Sequence, residues 1–264
     1  MAAVIASSSE RSRFFGDPKR FAKGFSLEPA EIDALIEMGP DLGALTDSFV
    51  KKREGNLGMV AAKTLEMLGT EGEALLSEFV NTTSMPGWFR VGVGMFGDYV
   101  VAQTAAMRDG SPRGEIIAEM ARYEKCLYDS FFDATVPEHQ EAARVSAGTG
   151  QAPPSRPERS SQVIQLRSGA IVERFNWDMR LPYRFGYDAA MVLESDPCEL
   201  LFFFNGEAGG FYTMRLKSLE ARALKAMVPG RSVELQRVSA ALPVGTDLDR
   251  LLSRFLWQEA FEWL

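Results

Sequence analysis

From Val136 to Ser161 the chain carries no apolar periodicity. It reads Pro-Glu-His-Gln-Glu-Ala-Ala and then Ser-Ala-Gly-Thr-Gly-Gln-Ala-Pro-Pro-Ser-Arg-Pro-Glu-Arg-Ser-Ser. Proline, glycine and serine at this density line neither a helix face nor a sheet face, so the stretch predicts a linker. A linker over 136–162 forces each flanking part, 1–135 and 163–264, to bury its own core. The 264 residues suffice for two modest domains.

The two parts carry different periods. In the first, Ser26 precedes Pro29, Ile32, Leu35 and Ile36 in the order of a capped helix start. Leu65, Leu68, Leu75, Leu76 and Phe79 continue in short helices broken by Gly69 and Gly72. Ile116, Ile117, Met120, Tyr123, Leu127, Tyr128 and Phe131 then form one apolar stripe at helical spacing between Glu115 and Phe132. The expectation is a bundle of about five or six helices. In the second part, 170–175, 189–193, 199–205 and 210–216 read as strands, the last two joined by a loop over 205–210. Helices follow over 218–228, over 232–238 and from Thr246 to the end. The expected fold class is therefore α+β: an N-terminal helical bundle, then a small winged-helix-like domain of strands plus three helices.

Charge and composition remove several functions. Residues 1–150 hold 15 Lys and Arg against 22 Asp and Glu, while 151–264 hold 14 of each. The acidic balance argues against a nucleic-acid binder, which needs a basic face to neutralise phosphates. No apolar stretch approaches the roughly 18–20 residues that cross a bilayer. The segment from Met1 to Phe15 lacks the basic start and apolar run of a secretory signal. Cys126 and Cys198 lie far apart with no C-x-x-C spacing, which fits free thiols in a reducing cytoplasm.

The chemistry-bearing motifs are few. Gly92-Val93-Gly94-Met95-Phe96-Gly97 matches G-x-G-x-x-G literally, but a dinucleotide site needs it between a strand and a helix. Trp88, Val91, Met95, Phe96, Tyr99 and Ala102 instead follow helical spacing, with the glycines admitting a close neighbour. With His139 as its only histidine, the chain cannot itself supply a histidine-built metal centre. His139 also sits at the linker edge with no nucleophile beside it. No catalytic residues and no cofactor of its own are expected.

Two surfaces remain. In a strand over 210–216, Tyr212, Met214 and Leu216 face one side, and Phe211, Thr213 and Arg215 the other. At a sheet edge with free backbone groups it would accept an extended peptide; protected by its neighbours it would be an ordinary edge strand. On the final helix Leu248, Leu251, Leu252, Phe255 and Leu256 form one apolar face, and Trp257, Phe261 and Leu264, along with Arg250 and Arg254, a second. That second face either packs on the helical domain or docks a partner chain.

The helix Glu-Ile-Ile-Ala-Glu-Met-Ala-Arg-Tyr-Glu-Lys-Cys-Leu-Tyr-Asp-Ser-Phe-Phe-Asp-Ala, residues 115–134, resembles one in certain bacterial partner proteins. These accompany multinuclear non-haem iron oxygenases that modify ribosomally made peptides, the methanobactin and thiaglutamate oxygenases among them. Residues 200–264 resemble the strand-then-three-helix element that recognises precursor peptides in such systems. The two regions cover about a third of the chain. The resemblance implies a cytoplasmic, non-catalytic subunit in a heterodimer with an iron-dependent oxygenase, with the iron in the partner. It implies that the leader of a ribosomal precursor peptide adds as a strand along Phe211, Tyr212, Thr213, Met214 and Arg215 and packs near Leu252 and Phe255. The modification would be oxidative, at a cysteine of the peptide. A winged-helix outline also fits a DNA-binding regulator, which steeply salt-dependent DNA binding would reveal.

Overall fold

The computed structural model describes residues 8–25, 28–83, 89–107, 111–134, 163–186, 195–206, 209–257 and 260–263. The linker expected over 136–162, the strand expected over 189–193, Ser26 and His139 lie outside them. The chain is α+β and divides into two units, Met1–Ala121 and Arg122–Leu264.

The first unit is helical throughout its described residues. Its elements are α1 (Ser8–Gly16), α2 (Pro18–Phe25), α3 (Pro29–Glu37), α4 (Gly39–Gly58), α5 (Ala62–Leu68), α6 (Thr70–Thr82) and α7 (Phe89–Ala106), followed by the start of α8 (Pro112–Ala134). These are more and shorter helices than expected, because Pro18, Pro29 and Pro40 each open a new one and suit a first turn. Leu57, Leu75, Phe79, Val93, Phe96 and Val100 are buried, and the Phe79 and Phe96 rings meet at 5.1 Å. Gly92, Gly94 and Gly97 all lie inside α7. Among the described residues, 89–91 just before the motif are helical as well, with Trp88 outside them, so the glycines sit within a helix rather than at a strand-to-helix turn.

Among its described residues the second unit holds two three-stranded antiparallel sheets. One has the order β5-β1-β6, from β1 (Val163–Leu166), β5 (Ser232–Glu234) and β6 (Phe261–Trp263). The other has the order β2-β3-β4, from β2 (Ile171–Phe175), β3 (Cys198–Asn205) and β4 (Gly210–Leu216). The helices are α9 (Arg180–Phe185), α10 (Ser218–Lys225), α11 (Leu235–Ala240) and α12 (Leu248–Trp257). In β3 the run Leu200-Leu201-Phe202-Phe203 is wholly buried because both of its faces are covered. Leu201 and Phe203, with Met214 and Leu216 of β4, share a core with Leu224, Val238, Leu252 and Phe255 of the three helices. On the opposite face, the α8 ring of Tyr123 lies 5.1 Å from Phe202 and 6.1 Å from Phe175. Phe131 lies 4.8 Å from Phe204. These aromatic contacts place residues 122–134 in the second unit, so the division falls within α8 rather than after residue 135.

The end of the chain departs from the single helix expected from Thr246 onward. The last helix ends at Trp257, and Phe261 lies in β6, paired with Leu166 of β1. The Ala260 N–H donates to the Phe255 carbonyl, and the Phe261 ring packs edge-on against Phe255 at 5.7 Å. The helix stops because turning the chain buries Phe261, which is 5% exposed. Likewise, the segment expected as a helix over 232–238 first pairs with β1 as β5 and only then becomes α11.

Candidate functional site

β4 pairs with β3 on one side, and among the described residues no strand covers its other side. In an antiparallel pair, successive residues point their N–H and C=O groups alternately toward and away from the partner. The Arg215 carbonyl accepts a hydrogen bond at 2.7 Å from Arg254 Nη2, on α12, and so faces outward. By that alternation Phe211 and Thr213 also turn their backbone groups outward, whereas Gly210, Tyr212, Met214 and Leu216 turn theirs to β3. The outer edge therefore offers the N–H and C=O of residues 211 and 213 and the N–H of residue 215.

The side chains of β4 have separate neighbourhoods. Phe211 is 46% exposed, yet its ring lies 5.9 Å from Tyr128, 5.8 Å from Phe131 and 5.5 Å from Phe204. The Thr213 hydroxyl sits 3.2 Å from the Tyr123 hydroxyl. Burial pushes that phenol up to about 12, so it is a neutral hydrogen-bonding group at ordinary pH. On the other face Tyr212 stacks on Phe203 at 5.2 Å, and Met214 is buried. Leu252 and Phe255 are also buried, at 2% and 0% exposure. An incoming peptide therefore meets no open apolar groove at those two side chains; they fill the core beneath the edge. Phe261 is excluded from a docking face for the same reason. Trp257 ends α12, with its side chain outside the described positions, as is Leu264.

No protein-family model matches the chain, and no curated protein matches it.

An ion-pair network closes the C-terminal end of β4. Arg215 grips Asp196 through two hydrogen bonds, at 2.6 and 2.8 Å, and lies 3.7 Å from Asp178. Arg180 grips Asp178 in the same forked way, at 2.6 and 2.8 Å. Burial alone would raise the Asp178 carboxyl, but the hydrogen bonds and charge of Arg180, with Arg215, outweigh it and hold it below the usual range. The fork from Arg215 likewise lowers the Asp196 carboxyl. An open cleft of about 510 Å³ beside the network is lined by Arg174, Cys198, Glu199, Arg215, Lys217 and Ser218. Its walls carry both charge signs, and Glu199 is paired with Lys225. Small-molecule sites instead have mostly apolar walls.

Neither thiol is activated. Burial pushes Cys198 up to about 11 and Cys126 up to about 12, the reverse of what a nucleophile requires. Among the described residues no group of three or more His, Cys, Asp or Glu side chains is placed to hold a metal ion. Among them, too, no helix is long and apolar enough to cross a membrane. Sequence reasoning missed Asp178 and Asp196: Asp196 pairs with Arg215, distant in sequence, and Asp178, although held by its near neighbour Arg180, joins the network only by lying beside Arg215. Arg254 is legible as part of the second face of the last helix, but its contacts with the Arg215 carbonyl and Glu220 carry no local signal.

Proposed function

We propose that this chain is a non-catalytic, cytoplasmic partner subunit that holds the leader of a ribosomally made precursor peptide and presents it to an iron-dependent oxygenase. The observation that carries the reading is the outer edge of β4, whose groups at 211, 213 and 215 face away from the sheet beside α12. An extended peptide satisfies such groups by adding a strand. The sequence order supports the same reading: the sheet β2-β3-β4 is followed by α10, α11 and α12, which we take as a winged-helix-like recognition element with β5 inserted. The iron and the oxidation, at a cysteine of the peptide, belong to the other subunit of the heterodimer.

The test is co-expression of the tagged chain with the products of the genes flanking its own, followed by purification and mass spectrometry. A short cysteine-containing peptide and an iron-binding protein are expected to co-elute. Thr213→Pro removes an outward N–H without breaking a bond to β3, and it should release the peptide. Thr213→Val keeps that N–H and should retain it. Elution of the chain without either component, or full retention by Thr213→Pro, overturns the reading. Tight DNA binding that falls steeply with salt would replace it with a regulator.

A further inference from the structure

We infer that the strand added to β4 is anchored by one large apolar side chain of the peptide, seated against the aromatic patch around Phe211 at the C-terminal end of the paired segment. The inference rests on the peptide-binding reading and names the residue chemistry that the edge selects. Outward-facing residues of an antiparallel edge form hydrogen-bonded pairs, and paired residues share a face of the sheet. The residue paired with Phe211 therefore projects onto the face where Tyr128, Phe131, Phe204 and Phe211 gather. All four rings are partly exposed, although each touches at least one other at 4.8–5.9 Å.

The position within the peptide follows from Arg254. Because that guanidinium holds the Arg215 carbonyl, regular pairing ends there and covers Thr213 and Phe211. In an antiparallel strand the residue opposite Phe211 lies two positions C-terminal to the one opposite Thr213. The anchor thus ends the paired stretch. The occupant is an extended peptide rather than a compact surface, because the patch continues directly into the outward row of backbone donors and acceptors.

The test uses a fluorescein-labelled synthetic copy of the peptide recovered by co-expression, an alanine scan of it, and anisotropy titrations against the full chain. One large apolar residue is expected to dominate the scan, and Phe211→Ser should weaken binding about tenfold. Against Phe211→Ser, alanine at that peptide position should cost almost nothing further, which a general loss of folded protein would not produce. Tyr128→Ser, a second variant, should show the same coupling. Additive losses in both cycles, with the peptide still released by Thr213→Pro, overturn the anchor and leave strand addition standing. A peptide unaffected by Thr213→Pro, or the recovery of none, overturns both.

Discussion

Arg254 on the last helix donates to the backbone carbonyl of Arg215 at 2.7 Å and lies 2.6 Å from the Glu220 carboxylate. Glu220 is 5% exposed and also accepts from the Lys217 N–H at the start of α10. One guanidinium thus ties the third helix to the first and to the end of the edge strand. Its plane lies over the Phe255 ring at 5.1 Å, so the charge is held between a carboxylate and an aromatic face. This couples the outer edge of β4 to the hydrophobic core of the second unit.

Replacing Arg254 by methionine keeps the apolar stem and removes the tie, leaving a buried carboxylate short of its cation. The half-exposed position moderates the loss, and about 1–3 kcal/mol of stability is expected. Glu220→Gln in the same background should recover part of it. Urea midpoints of the four proteins in this cycle measure the coupling. Purely additive effects would show that the pair contributes nothing.

Gly169 is the tightest backbone approach in the second unit. Its φ is +76°, and an added Cβ would stand 2.4 Å from the Ser130 carbonyl oxygen and 2.6 Å from the Ala134 nitrogen. Gly169→Ala therefore meets both conformational strain and backbone that cannot yield as a side chain would. Gly209, at φ +67° with nothing within 4 Å of its Cβ, separates the two effects. Gly209→Ala should cost about 1 kcal/mol and Gly169→Ala at least about 2 kcal/mol. Equal shifts in the urea midpoint would show that the close approach is not maintained in solution.

Much of this architecture was legible in local pattern. The α8 stripe from Ile116 to Phe131 needs only the helical period, and the buried run in β3 needs only its density of apolar residues. The edge strand was readable as a strand, but its place at an edge depends on pairing that alternation does not encode. The elements missed were β1, β5, β6 and α9, each only three to six residues long. The first three are created by pairing across 66 or more residues, as in Val163 with Glu234 and Leu166 with Phe261. Phe261 followed the helical spacing of Trp257 and still became a strand residue, because burial against Phe255 outweighs local propensity. For the candidate site, residues 211 to 215 are legible as part of a strand with alternating faces. That Leu252 and Phe255 would lie in the core, and that Arg254 would face the edge, depended on how α12 turns.

The Asp178–Arg180–Arg215–Asp196 network predicts acid sensitivity. Both carboxyls are held below the ordinary aspartate value of about 4, so the unfolded chain takes up protons at a higher pH than the folded one. Their stabilisation is therefore fully present above about pH 5 and lost as the pH falls through the lower folded values. Asp178→Asn should be less stable at pH 7 and should show a shallower decline between about pH 5 and 3 than the wild type. Urea titrations across that range measure it. Parallel pH profiles for the two proteins would remove Asp178 from the account.

The thiols give the opposite sign. Cys198 is raised to about 11 and Cys126 to about 12, mainly by burial, whereas an unfolded thiol ionises near 8.5. Their contribution to stability is complete below about pH 8.5 and is lost as the pH rises through the folded values. The native chain should consequently resist iodoacetamide at pH 8, because alkylation requires an exposed thiolate. Cys198 has a further restraint: its sulfur lies 3.7 Å from the Trp177 carbonyl, placed for the S–H to donate. Mass spectrometry after a timed pulse should find both cysteines unmodified in buffer and both modified in denaturing urea. Rapid native labelling of Cys198 would mean that the 176–180 turn opens, and with it the ion-pair network that closes the end of β4.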